Sequence, residues 1–385
     1  MPTEACFSSL PQMRIYNTSP EVHDDSLLVA MLEKRRYGPG FPTSPLLATI
    51  LTTAVCLSLW RLSSCPGTQN AQLVAPSYLL LLPGNATSLP PPYPMHKLSP
   101  GDRNTLIDIK DFDFQLNNFP CNGSSSLLLL VLVHSAPGNV DKRRTIRETW
   151  GQGGSSHRVL FLLGEVDSPE AQAALEDENR TYRDLVQGRF LDSYRNMTYK
   201  HVMALKWTTY FCPGARYLLK TDDDVFVNSP ALLDFLAQDL SPWGARRLIL
   251  CCESLSFAYV KRSYRSKWRV SPLEYPGRTY PAYCAGWAVL YSPDVVFMLY
   301  REAQRVEYFW IDDVHVTGTL AARANLTQTP LGSLVLSQEQ VESLVGTKDN
   351  TSEIGAFLFG SRNLSLTEIQ RLWQLVQERR QTTPS

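Results

Sequence analysis

The sequence predicts an α/β domain built on a mostly parallel sheet, and three observations predict it. Residues 126–134 (SLLLLVLVH) form a continuous apolar run, which suits a parallel strand buried on both faces. Apolar runs at 159–163 and 216–219 alternate with helical spacing at 141–150, 168–187 and 199–211, the pattern of a sheet with crossover helices. The 216–219 run ends in an acidic cluster, and in such sheets ligands bind beyond the carboxyl ends of the strands.

What precedes this domain has a different composition. Residues 46–60 (LLATILTTAVCLSLW) carry no charge, with Lys34, Arg35 and Arg36 upstream and Arg61 behind. The run is short against the roughly 20 residues of a full span, but thinner membranes accept shorter ones. Basic residues before a single apolar run favour a cytoplasmic N-terminus. The alternatives are a cleaved signal peptide, which would stand nearer the start, and a buried core helix. Residues 63–100 are rich in Pro, Ser, Thr and Gly, with PPPYP at 90–94, which is linker composition. The expected division is a tail at 1–44, a signal anchor at 45–62, a stem at 63–104 and a lumenal domain at 105–385. Met31 as the true start would leave a short basic tail.

Lys plus Arg and Asp plus Glu both number 37, so no basic excess points to a nucleic-acid partner. The eight cysteines include no CxxC and no His/Cys cluster with zinc spacing. Five of them, at 121, 212, 251, 252 and 284, are scattered as structural disulfide cysteines are, with buried free thiols as the alternative. Asn-x-Ser/Thr sequons stand at Asn17, Asn85, Asn122, Asn179, Asn196, Asn325, Asn350 and Asn363. Seven after residue 80 suggest a chain exposed to the secretory lumen, where disulfides persist.

Lys220-Thr221-Asp222-Asp223-Asp224-Val225 follows directly on the 216–219 run. Three consecutive carboxylates repel, and a cation relieves that repulsion. In an extended segment Asp222 and Asp224 point to one side. Their hard oxygen atoms suit magnesium or manganese, which bridges phosphate oxygens of a nucleotide diphosphate and neutralises the leaving group. A solvated acidic turn is the bland alternative, but apolar residues on both sides argue against a surface loop. A second pair, Asp312-Asp313, follows Tyr308-Phe309-Trp310. A carboxylate there could take the proton of an attacking hydroxyl, or cap a helix; both can hold at once.

These residues occur within six ordered blocks: RRTIRETWG at 143–151, FLLG at 161–164, DSYRNMTYK at 192–200, CPGARYLLKTDDDVFVN at 212–228, KWRVSPLEYPGRTYPAYCAGWAVLYS at 267–292 and DDVHVTG at 312–318. With them the chain resembles the animal β-1,3-galactosyltransferase and β-1,3-N-acetylglucosaminyltransferase family across residues 117–320, and is closest to the galactosyl-transferring members. The resemblance implies a GT-A type fold and an inverting, metal-dependent transfer from UDP-galactose or UDP-GlcNAc to the 3-hydroxyl of an acceptor glycan on protein or lipid. It also implies residence in the Golgi membrane as a single-pass type II protein. Asp222 and Asp224 match the metal motif, with Asp224 the more direct ligand and Asp223 in support. Asp313 matches the catalytic base. Arg143, Arg147, Asp192 and Lys200 match positions near the nucleotide, although helix-surface packing is an alternative for Arg147. Tyr283, Gly286, Trp287 and Asp312 match the acceptor side, although strand aromatics such as Trp287 are usually core. Cys121 with Cys212 matches a family pairing, and Cys284 is left to pair with Cys251 or Cys252.

Three departures stand out. Asp312 replaces the usual Glu, Trp287 occupies a usually glycine-rich stretch, and residues 350–370 lack the His that many members carry there. The last two motivate a rival reading from another class, a non-catalytic carbohydrate-binding relative. A calcium-binding adhesion protein is disfavoured, since no repeat and no EF-hand loop is visible.

Overall fold

The computed structural model describes residues 93–121, 127–346 and 355–382. The expected anchor, most of the stem, and Asn17, Asn85, Asn122 and Asn350 lie outside the described residues. Among the described residues no helix is long and apolar enough to cross a membrane.

An eight-stranded sheet organises the domain. In chain order its strands are β1 (Phe114–Leu116), β2 (Leu129–His134), β3 (His157–Glu165), β4 (Leu185–Leu191), β5 (Tyr217–Asp222), β6 (Ile249–Cys251), β7 (Ala288–Tyr291) and β8 (Thr329–Pro330). Their spatial order is β8-β6-β7-β5-β2-β3-β4-β1. Strands β5, β2, β3 and β4 are parallel, β7 is antiparallel to both β5 and β6, β8 is parallel to β6, and β1 is antiparallel to β4. The expected mostly parallel α/β sheet is therefore present, with an antiparallel strand inserted beside β5.

The helices are α1 (Val140–Glu148), α2 (Pro169–Tyr182), α3 (Met197–Phe211), α4 (Pro293–Ala303) and α5 (Leu366–Thr382), with a π-helical segment at Asp313–Leu320. Alternation along β2 assigns them to layers. Leu129, Val131 and Val133 pack in one core with Ile146, Leu175 and the α5 residues Ile369 and Leu372. Leu130 and Leu132 pack in the other with Val202 and Leu205 of α3 and Val295 and Leu299 of α4. Eleven of the fifteen residues of α3 are buried, so α3 is an interior helix and its polar residues need partners.

Lys206 finds its partners upstream of the expected domain. Its ammonium donates to the carbonyls of Asp102 (2.5 Å) and Thr105 (2.9 Å), and the hydroxyls of Tyr210 and Tyr300 donate to the Asp102 carboxylate. Tyr93 is buried and stacks on Phe297 at 5.0 Å. The stem boundary at 104 is thus corrected: residues 93–104 are part of the folded unit, because one aromatic and one buried aspartate anchor a segment whose composition reads as linker.

The expected helix over 168–187 also divides. Ser168 caps α2 at Ala171 N–H with Pro169 next, Arg183 closes it in the left-handed conformation, and β4 begins at Leu185. Cys121 bonds to Cys212, and Cys251 bonds to Cys284, leaving Cys252 as a buried thiol. Of the described sequons, Asn325 and Asn363 are exposed. The Asn196 amide donates to Leu191 O, and the Thr198 of its sequon is buried. The Asn179 side chain accepts from Asn118 and from Leu185 N–H.

Candidate active site

The parallel strands deliver the polar residues to one edge. The end of β2 lies in register with the end of β5, His134 beside Asp222, and Ser135 follows at once. Asp192 follows β4, and its carboxylate accepts from Gly164 N–H (2.6 Å) and from Lys200 (2.8 Å). Lys200 also donates to Ser135 O at 2.6 Å, so this buried ammonium ties β4 to β2; burial lowers its pKa against the pull of Asp192.

Within the acidic turn the three carboxylates are not equivalent. Asp223 is buried and accepts from Ser135 Oγ (2.8 Å), Asn139 Nδ2 (2.7 Å) and Lys142 Nζ (2.9 Å). Its work is to hold α1 and the loop after β2 against the turn. Asp222 and Asp224 keep 33% and 27% of their side chains exposed. Asp224 meets Lys142 at 3.3 Å, and its carbonyl accepts from Leu364 N–H. The C-terminal segment therefore does reach the acidic turn, but with no imidazole.

The second acidic pair opens the π-helical segment, a geometry frequent at functional sites. Asp312 turns inward: it meets His201 Nδ1 at 3.1 Å and Lys220 Nζ at 3.9 Å. His201 Nε2 lies 3.1 Å from the Tyr291 hydroxyl. A neutral imidazole satisfies both contacts, with Nδ1–H donating to Asp312 and Nε2 accepting from Tyr291. Burial would raise the Asp312 pKa, but His201 and Lys220 outweigh it and leave the carboxyl at about 2. Asp313 has no such cation in contact. Burial, then the Asp312 charge, hold its carboxyl well above the usual carboxylate range.

Lys220 joins the two clusters. Its side chain is 2% exposed, and its ammonium donates to Asp222 Oδ1 (2.8 Å) and to Gly286 O (2.5 Å) while standing 3.9 Å from Asp312. Lysine is rarely buried unless paired, and here one cation faces a carboxylate from each acidic cluster. Gly286 completes the arrangement. A Cβ on Gly286 would fall 1.8 Å from Asp313 Oδ1, so only glycine lets that carboxylate occupy its place. Gly286→Ala is expected to destabilise the fold by about 1–3 kcal/mol through overpacking, read by chemical denaturation.

The remaining expectations divide. Tyr283 is half-buried, and the Asp313 charge adds to burial in raising its pKa, which places it by Asp313. Trp287 is partly buried: its ring packs against the main core, while its carbonyl accepts from Thr221 Oγ1 and Asp222 N–H. Arg143 and Arg147 already have carboxylate partners. Arg143 is 0% exposed and donates to Glu178, Ser135 Oγ and the carbonyls of Ala136 and Pro137. Arg147 pairs with Glu178 and Asp184 beneath the Tyr182 ring. Both lock α1 to the α2–β4 corner. Lys220, His201, Ser135 and Lys142 are the residues missing from the expected set; the one signal for them in the sequence is a lysine inside an apolar strand run.

Among the described residues no group of three or more His, Cys, Asp and Glu side chains gathers as for a metal. The donor set nevertheless fits a hard divalent cation that draws its other ligands from diphosphate and water, since Asp222 and Asp224 are the two carboxylates of the turn that stay partly open.

Residues 141–331 match the family described as Galactosyltransferase. UDP-GalNAc:beta-1,3-N-acetylgalactosaminyltransferase 1 of Sus scrofa is 36% identical over 214 residues, covering 54% of this chain and 63% of the relative. The chain thus spans a little under two thirds of the length of that relative. Beta-1,3-galactosyltransferase 5 is 32% identical over 246 residues in both Gorilla gorilla gorilla and Homo sapiens, covering 63% of this chain and 80% and 77% of the two relatives. Motif order, a glycine fitted to Asp313 and these likenesses agree, and the chain belongs to the β-1,3-galactosyltransferase family.

Proposed function

We propose that the protein transfers galactose from UDP-galactose to the 3-hydroxyl of an acceptor sugar on a glycoprotein or glycolipid, with inversion at the anomeric carbon. The observation that carries this reading is the Lys220 bridge. It ties the partly open carboxylate turn, through Asp222, to Asp312, the neighbour of the high-pKa Asp313, at one edge of the sheet. Asp313 takes the proton of the acceptor 3-hydroxyl as its oxygen bonds to the sugar C1, and the bond from C1 to the diphosphate oxygen breaks as UDP leaves. A raised pKa suits a base that must accept that proton. Asp224 and Asp222 would hold the manganese ion, which would supply Lewis-acid stabilisation of the leaving diphosphate. The reading places the domain in the Golgi lumen, anchored through residues 45–62 as a type II membrane protein.

The names of the relatives favour a second donor reading, UDP-GalNAc, beside the sister reading of UDP-GlcNAc. Incubating the purified protein with manganese, an acceptor panel and each of the three donors decides among them. Consumption of UDP-galactose alone supports the proposal, another donor replaces it, and no consumption of any donor contradicts transfer altogether.

A further inference from the structure

The segment 256–282 is unlike the rest of this neutral chain, with six basic residues and one carboxylate, Glu274. It is also built rather than loose. Val260, Val270 and Tyr280 form a small core with Trp310 and Val314, which bracket Asp312 and Asp313. Arg262 donates to the carbonyls of Val270, Tyr275 and Gly277, and Glu274 pairs with Arg195 at 3.0 Å. The segment is therefore fixed to the turn that carries the base.

At its centre lies an exposed platform. Trp268 Nε1 donates to the Tyr194 hydroxyl at 2.7 Å, and these side chains remain 46% and 54% exposed as residues. The Lys267 ammonium stands 4.5 Å from the Trp268 ring centre and 5.8 Å from that of Tyr194. No carboxylate pairs with it among the described residues. Tyr194 in turn packs on Trp310, with ring centres 6.3 Å apart. Burial and then the charges of Asp312, Asp313 and Asp222 raise the Tyr194 pKa against the Trp268 hydrogen bond, which agrees with a place beside both acidic clusters.

We propose that Lys267, Trp268 and Tyr194 form a further substrate subsite, in which the aromatic surface covers the apolar face of a sugar ring and Lys267 takes an anionic group on or next to that ring. Exposed aromatic rings have no energetic reason to remain uncovered beside a reaction centre, and an ammonium without a carboxylate partner attracts an anion. Two sources supply that chemistry: the diphosphate of the donor, and a carboxylate or sulfate on the acceptor. The proposal rests on the transfer reading for its setting, and its test does not require turnover.

The full chain and the variants Lys267→Ala, Lys267→Arg and Trp268→Leu are compared in two binding titrations. One uses UDP with manganese, followed by calorimetry. The other uses a sulfated disaccharide and its neutral counterpart, followed by calorimetry as well. Lys267→Ala is expected to weaken one of the two anionic ligands roughly tenfold, with Lys267→Arg restoring most of it and the neutral disaccharide unaffected. Trp268→Leu is expected to weaken the same ligand. Loss confined to UDP assigns the subsite to the donor, and loss confined to the sulfated disaccharide assigns it to the acceptor. If Lys267→Ala leaves both titrations within twofold of the unaltered chain, or the unaltered chain binds neither ligand, the subsite is refuted. A chain that binds these ligands through Lys267 and consumes no donor refutes the transfer reading and leaves the subsite standing.

Discussion

Asp313→Asn is expected to lower kcat by roughly 10²- to 10⁴-fold while UDP still binds, because a positioned general base contributes on that order. The amide keeps the shape and cannot take the proton. The pH dependence of kcat/KM for the acceptor follows from the same geometry. The reaction needs Asp313 without its proton, and burial with the Asp312 charge holds its pKa high. The rate is therefore expected to fall on the acid side of a limb well above pH 4, the usual carboxylate range. Asp312→Asn removes the neighbouring negative charge, so the limb is expected to move to lower pH. A limb that stays put in Asp312→Asn, or an Asp313→Asn variant within tenfold of full turnover, would show that another group takes the proton.

Lys220→Met is expected to cost about 2–4 kcal/mol of unfolding free energy at neutral pH, because it leaves the mostly buried Asp312 and the partly open Asp222 without their cation, the latter screened by water. Burial lowers the Lys220 pKa, but Asp222, Asp312 and Asp313 outweigh it and hold the folded value above that of free lysine. Its stabilisation is thus fully present below the free-lysine pKa of about 10.4 and is lost only as pH rises through the folded value. Urea unfolding at pH 7 measures the loss. Adding Asp222→Asn to Lys220→Met is expected to recover part of it, since one of the stranded charges goes. A loss under 1 kcal/mol would mean that water, and not Lys220, screens these carboxylates.

The residues that sequence reading located and those it missed differ in a physical way. Strand β2 and helix α3 are legible because burial imposes unbroken apolar runs or helical spacing. The first residues of strand β4 fall inside the helix expected over 168–187, and Gly188 at its centre has no side chain to extend the strand pattern. The structure needs that glycine for close packing, because a Cβ there would fall 2.4 Å from Met203 Sδ. The acidic turn and Asp313 are visible as local clusters. Lys220 reaches Gly286, 66 residues away, and His201 reaches Asp312, 111 residues away, and no local pattern records such distances. Arg143 and Arg147 show the converse. The resemblance sets them near the nucleotide, where a guanidinium suits a diphosphate, but Glu178 and Asp184 arrive from a distant corner and pair with them.

The central claim gives the two acidic groups separate tasks, one for the donor and one for the acceptor proton. It is tested most directly by titrating UDP into Asp224→Asn and Asp313→Asn, with and without manganese. The account predicts manganese-dependent binding that Asp224→Asn weakens at least tenfold and Asp313→Asn leaves nearly intact, with turnover lost in both. Equal loss of UDP affinity in the two variants, or UDP binding indifferent to manganese and to Asp224, would contradict it.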